Sequence, residues 1–258
     1  MTPLSSVQDL TLQQGGRRLI DSLALKIRPG ECWAVLGPNG SGKTTLLKAL
    51  AGLLPAQNGC IELQGRPLAA MQISQRARHV GLVFQQGHTG LHNTTLELVM
   101  SGHHPHRKHW WDTREEGRSA MLALAEVGLE EQANQDTQTL SGGELRRAEI
   151  ARLLVQSPAL ALLDEPFNHL DIGQQVAMIR LLKQHFVQPG KALLLVTHDI
   201  NLATQVSSHC LILHGDGRWT SGPVDTMASQ AVLGELFDYP LVEYRSPNGS
   251  FWGIDWGH

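Results

Sequence analysis

Aromatic side chains make up only 5% of the 258 residues, and none precedes Trp33. A ring presented from the first strands is thereby excluded. Cysteine is equally sparse. Cys32, Cys60 and Cys210 are odd in number and widely spaced, which argues against a disulfide framework and fits a reducing compartment. No CxxC pair suggests structural zinc. Positive charge is not in surplus either. A net charge of −3 offers no broad cationic field to hold nucleic acid or anionic lipid, so association with a membrane must run through a specific partner. Long apolar runs are missing: those at 160–163 and 192–196 are far too short to cross a bilayer. The opening segment MTPLSSVQDLTLQQGG lacks the basic-then-apolar order of a secretory leader. What remains is an ordinary foldable composition, of a length that suits one large α/β domain or a core with an inserted subdomain.

Hydrophobic periodicity supplies the elements. Residues 7–13 and 23–27 alternate apolar and polar, as half-exposed antiparallel strands do. Residues 32–36 are apolar without a break, as a strand covered on both faces should be. A glycine-rich turn follows, then TTLLKALAGLL, with leucines at helical spacing up to Gly52 and Pro55. Residues 80–84 form another short strand. From about 91 to 157 strand signals vanish, and helices are predicted around 96–100, 114–127 and 144–155. This stretch reads as a helical insertion, 91–157, in a core made of 1–90 and 158–225. The core resumes with strands at 159–163, 192–196 and 210–214 and a helix at 174–186. The tail, 226–258, gives no readable element.

Three motifs carry chemistry. GPNGSGKTT, residues 37–45, fits G-x-x-x-x-G-K-[ST] and stands after a strand at the opening of a helix. Gly37, Gly40 and Gly42 let the backbone curl so that N–H groups, with those of Pro38–Thr45 that can donate, face an anion, and the helix start adds partial positive charge. Lys43 is placed for β- and γ-phosphates and Thr44 for Mg²⁺. In ALALLDEP a buried strand ends in Asp164 and Glu165, at the ligand edge of a parallel sheet. Asp164 is expected to hold Mg²⁺ through water and Glu165 to orient the attacking water. A glutamate's ordinary pKa, about 4.3, makes it a weak proton acceptor, so positioning outweighs proton abstraction. In LSGGE, Ser141 and Glu144 make an S-x-x-E capping box, while Gly142 and Gly143 leave the first turn bare of side chains. The result is an open helix end that an anion can approach.

Taken in order, the phosphate loop, VFQQ with Gln85, LSGGE, LLDEP, NHLD and LLVTHD with His198 resemble the nucleotide-binding subunit of an ABC transporter over about residues 5–225. The resemblance implies a P-loop NTPase (RecA-like) α/β core with an N-terminal antiparallel β subdomain and an inserted α-helical subdomain carrying LSGGE. It implies an ATPase that uses ATP and Mg²⁺. Two copies would pair head to tail, with each ATP between Gly37, Pro38, Asn39, Gly40, Ser41, Gly42, Lys43, Thr44 and Thr45 of one and Ser141, Gly142 and Gly143 of the other. Gln85 would sense γ-phosphate and metal, with Thr44 and Asp164 as further metal ligands. Glu165, His198, Gln85 and Lys43 would act in catalysis, and Asp171 would lie at the dimer interface. Integral-membrane permease subunits would be direct partners, a substrate-binding protein an indirect one and nucleic acid none, which places the chain at the cytoplasmic face of the cell membrane.

The single short domain and the stretch VMSGHHPH resemble the ATPases of iron-siderophore, haem and vitamin B12 importers, with vitamin B12 as the leading substrate. An exporter ATPase and a non-transport ABC ATPase are the alternatives, although the latter's long coiled coils or tandem units are not found here. The histidines at 103, 104, 106 and 109 suggest metal, but Pro105 breaks a helix that could align them and Arg107 and Lys108 repel a cation, so a polar loop near a permease is expected. Two departures from the family pattern stand out. Glu144 replaces the usual Gln, which the capping argument tolerates. The position of the usual adenine-stacking ring falls near Gln14, with Arg17 or Arg18 as candidates to stack instead.

Overall fold

The apolar runs of the sequence become the middle of a six-stranded sheet that separates two hydrophobic cores. The computed structural model describes residues 2–85, 93–107, 113–246 and 249–254. In chain order its strands are β1 (Ser5–Gln14), β2 (Arg17–Ile27), β3 (Cys32–Leu36), β4 (Asn58–Leu63), β5 (Arg66–Pro67), β6 (Val80–Val83), β7 (Leu160–Asp164), β8 (Ala192–Val196), β9 (His209–Leu213), β10 (Trp219–Pro223), β11 (Leu241–Ser246) and β12 (Gly249–Ile254). The helices are α1 (Lys43–Leu50), α2 (Ile73–His79), α3 (Thr95–Met100), α4 (Thr113–Glu126), α5 (Gly142–Gln156), α6 (Ile172–Phe186), α7 (Ile200–Val206), α8 (Val224–Met227) and α9 (Gln230–Phe237).

The large sheet runs β10-β9-β3-β8-β7-β6, parallel except for the edge strand β10. Every residue of β3, β7 and β8 is buried, which is why these strands read as unbroken apolar runs. Their side chains alternate between the cores. Ala34, Leu163 and Leu195 join the helices α4–α7, while Val35, Leu162 and Leu194 join α1 and the second sheet. That sheet is antiparallel, in the order β2-β1-β4-β5. Its first hairpin turns at Gly15 and Gly16, both left-handed, a conformation that costs glycine little.

β1 departs from the half-exposed alternation expected of it. It lies between β2 and β4, and both Ser5–Val7 and Leu10–Leu12 are buried. A bulge at Asp9, left-handed at φ 50°, slips the register between Val7 and Leu10 and shifts the phase of the pattern.

Helices α3, α4 and α5 pack on one another, and α5 also meets β6. Residues 101–106 form a 3-10 turn containing Pro105, where an irregular loop is expected. His103 there bonds the Ser119 hydroxyl at 2.6 Å and His106 the Gln156 carbonyl at 2.9 Å. Lys108 and His109 lie outside the described residues. The tail, unreadable in sequence, folds as α8, α9 and the β11–β12 hairpin. It docks on α7, where the Asn201 amide donates to the Trp252 carbonyl at 3.0 Å and accepts from its N–H at 2.6 Å. Among the described residues no helix is long and apolar enough to cross a membrane.

Candidate functional site

Because β3, β6, β7 and β8 are parallel neighbours, their C-terminal ends open on one edge of the sheet, and the segments that follow them meet there. The segment after β3 is the glycine loop. Gly37 has φ 154°, and a Cβ on it would lie 2.5 Å from the Leu213 carbonyl oxygen. Only glycine lets the chain leave β3 so close to β9. Gly42, at φ 103°, precedes α1 with no side-chain cap, so the N–H groups of the first turn keep no side-chain partner from that position. The Lys43 ammonium folds over this loop and donates to the Gly37 and Pro38 carbonyls at 2.7 and 2.9 Å. Burial lowers its pKa, and the nearby Glu165 and Asp164 carboxylates oppose that shift.

Thr44 points the other way and donates its hydroxyl to the Asp164 carboxylate at 2.6 Å. Two hard oxygen donors from α1 and β7 are thus side by side. Burial raises the Asp164 pKa, and the Glu165 charge adds to the rise, while the Thr44 hydrogen bond, Lys43 and Arg146 pull it back. Glu165 turns the chain out of β7 in the left-handed region, at φ 47°, with its N–H on the Val196 carbonyl at 3.1 Å. That turn throws its carboxylate into the opening. One oxygen accepts from Gln85 Nε2 and Asn168 Nδ2, both at 2.6 Å, and the other meets His198 Nε2. Lys43, Thr44, Gln85, Glu165 and His198 line a cleft of about 360 Å³ whose wall also includes Gln14, Leu19, Asn39 and Thr45.

The structure therefore brings together the loop 37–45, Gln85, Asp164, Glu165 and His198. It does not bring LSGGE to the same cleft. Ser141 caps α5 instead, with its hydroxyl oxygen accepting from the Glu144 N–H at 3.3 Å and the Glu144 carboxylate accepting from the Ser141 N–H at 2.8 Å and its hydroxyl at 2.7 Å. Those bonds lower the Glu144 pKa. Ser141 and Gly142 are exposed. Gly143 packs on the next segment, where a Cβ would come 2.9 Å from the His169 carbonyl. Asp171 is exposed and caps α6 by accepting from the Gln174 N–H at 2.8 Å.

Neither Arg17 nor Arg18 is among the residues that line this cleft. Arg17 reaches the Gly215 carbonyl, and Arg18 pairs with Asp21 at 2.8 Å. The exposed Gln14 stands on the wall, held by the Thr45 hydroxyl at 3.3 Å. Two polar residues escaped the sequence reading. Asn168 lies within NHLD and holds Glu165 from three residues on. Arg146, on α5, donates to the Phe84 and Gln85 carbonyls. Motif spacing signals neither contact.

A family model described as ABC transporter matches residues 20–168. The hemin import ATP-binding protein of Methylobacillus flagellatus is 35% identical over 246 residues, 92% of this chain and 90% of that protein. The ferric enterobactin transport ATP-binding protein of Escherichia coli is 36% identical over 207 residues, covering 80% and 76%. Among solved structures, a metal-chelate type ABC transporter in an inward-facing conformation superposes with TM-score 0.81 and 25% identity, covering 98% of this chain and 97% of that one. A dimeric ATP-binding cassette bound to ADP and Pi gives TM-score 0.76 and 26% identity, covering 85% and 98%.

Proposed function

This chain belongs to the ABC transporter family and is an ATP-binding ATPase of it, and we propose that it powers an importer for haem or a ferric siderophore. The observation that carries the reading is the convergence of Lys43, Thr44, Gln85, Glu165 and His198 on one cleft, with Asp164 bonded to Thr44. The loop 37–45 cradles the phosphates with its backbone N–H groups, and Lys43 leaves the Gly37 and Pro38 carbonyls to neutralise them. Thr44, Asp164 and Gln85 suit Mg²⁺, a hard cation satisfied by one or two protein oxygens beside phosphate. Bound there, the ion withdraws charge from the phosphate oxygens. Glu165 orients the attacking water. Asn168, Gln85 and His198 fix its carboxylate, and His198 stands at the γ-phosphate.

The cleft of one copy is closed by Ser141, Gly142 and Gly143 of a second, with Asp171 at the seam. The absence of LSGGE from the lining of its own cleft and the exposure of Ser141 and Gly142 support this, as does the dimeric state of one structural relative. The helical unit, 91–157, carries that signature. A permease anchors the pair at the cytoplasmic face of the membrane. Vitamin B12 is the alternative cargo, but the relatives compared above are named for hemin and ferric enterobactin. The test is isolation of the chain from membranes in mild detergent, then reconstitution of the complex in liposomes with its binding protein. Recovery of a multi-span permease is expected, with Mg²⁺-dependent ATP hydrolysis that rises when the binding protein carries haem or a ferric siderophore. Stimulation by vitamin B12 alone moves the cargo assignment, and a chain that hydrolyses nothing overturns the whole reading.

Gln14 makes a second expectation. Base stacking on an aromatic ring is worth about 1–3 kcal/mol. Gln14→Tyr supplies the ring at an exposed wall position and is expected to tighten ATP binding about tenfold, equivalent to about 1.4 kcal/mol. Arg17→Ala and Arg18→Ala should leave affinity within about twofold, since their guanidinium groups are engaged elsewhere. Equilibrium nucleotide titrations decide it. An arginine variant that loses tenfold restores the stacking arginine.

A further inference from the structure

Arg146 is a charged side chain in a place that water does not reach. It is 4% exposed, on α5, five residues past Ser141. Such a charge persists only with partners, because burial favours its neutral form and an arginine does not give up its proton. Both terminal nitrogens of its fork have partners. One nitrogen donates to the Phe84 carbonyl and, at 3.0 Å, to the buried Glu149 carboxylate; another donates to the Gln85 carbonyl. Phe84 and Gln85 are the first residues after β6, and Gln85 is the residue whose side-chain amide holds Glu165 at 2.6 Å. A continuous run of contacts therefore leads from the helix that begins at LSGGE, through Arg146, to the backbone of Gln85, and from its side chain to Glu165.

We propose that Arg146 is a positioning residue for Gln85: it fixes the peptide from which the Gln85 amide projects, and so ties the orientation of α5 to the placement of the Glu165 carboxylate. The proposal rests on the role given to Gln85 above. Two consecutive carbonyls are held by one planar, multi-donor group, which fixes the direction of the peptide as well as its position. A lysine, as a point charge, could hold one carbonyl but not impose that direction. Glu149 keeps the fork aligned from the next turn of the same helix, at i+3.

The test is a double-mutant cycle on the full-length protein, reading ATP hydrolysis and ATP affinity. Arg146→Gln is expected to lower kcat about tenfold while ATP affinity measured without Mg²⁺ stays within twofold, because the phosphate loop is untouched. Gln85→Ala is expected to lower kcat comparably. Combined, the two should lose less than twofold beyond Gln85→Ala alone, since one acts through the other. Arg146→Lys should fall between parent and Arg146→Gln. Arg146→Gln leaves Glu149 without its arginine and can cost folding, so Arg146→Met/Glu149→Leu, which removes both buried charges, must show the same coupling to Gln85. Additive losses in the cycle, or a parental rate for Arg146→Met/Glu149→Leu, overturn the inference and leave the cleft assignment standing. A parental rate for Gln85→Ala overturns the assignment of Gln85 itself.

Discussion

Glu165→Gln is expected to bind ATP as tightly as the parent and to turn it over at least about a hundredfold more slowly. Loss of positioning at a reacting centre can cost on the order of 10²-fold. The amide keeps the size of the side chain and one acceptor oxygen. It loses the charge, and its NH₂ group replaces one of the two oxygens that now accept from Gln85 and Asn168 or meet His198. An attacking water then meets a donor where it needs an acceptor. Nucleotide binding should survive, because the loop 37–45 and Lys43 do not depend on Glu165 for a hydrogen bond. With hydrolysis stopped, the closed pair of copies is expected to accumulate, and gel filtration with ATP should show a dimer that ADP does not produce. Turnover within a few-fold of the parent would remove Glu165 from the mechanism.

The legible part of this fold is the part governed by uniform burial. Strands β3 and β8 emerge at the boundaries expected from their apolar runs, since a strand covered on both faces has no polar positions to blur its ends. The α5 start is legible for a different reason: its cap is local chemistry, and Ser141 and Glu144 satisfy each other within four residues. What stayed hidden lacks such signals. Helix α2 buries none of its residues, so it has no apolar stripe to announce it. Strand β4 begins with three exposed residues and pairs at the side of β1, where alternation is lost. In the tail hairpin Tyr244 and Phe251 stack on each other, centroids 5.0 Å apart, on an exposed face, which inverts the inside-outside pattern that reveals a strand.

The site divides along the same line. Its motifs name residues that line the cleft, and parallel pairing of β3, β6, β7 and β8 gathers them. The residues that hold those residues are set by long-range geometry. Arg17 sits beside Gln14 in the β1–β2 register and is the nearer arginine in sequence to the missing ring. Its guanidinium is nevertheless taken by the Gly215 carbonyl, a contact across 198 positions that no spacing rule contains. Arg146 is hidden in the same way, within a helix whose first residues already had an explanation.

Lys43→Ala is the variant expected to fail at binding rather than at turnover. Lys43 is 7% exposed, and its ammonium spends its donors on the Gly37 and Pro38 carbonyls. ATP offers it a stronger acceptor. Hydrogen bonds to charged groups contribute about 1.5–3 kcal/mol, so the variant should lose on the order of 10- to 100-fold in ATP affinity. The backbone N–H groups of the loop and the start of α1 remain, which is why some affinity should persist. A pH signature separates this from general damage. Burial holds the Lys43 pKa below the ordinary lysine range, against the pull of Glu165 and Asp164. The protonated form is the one that binds phosphate, so the parent's affinity should fall as pH rises through that lowered pKa. The alanine variant has no proton to lose there, and its weaker affinity should be flat over the same alkaline range. Without ligand it should melt within a few degrees of the parent, because a cation whose burial is unfavourable contributes little to the apo fold. A variant that instead keeps parental affinity, or that follows the parent's alkaline fall, would show that the phosphate charge is met by another group.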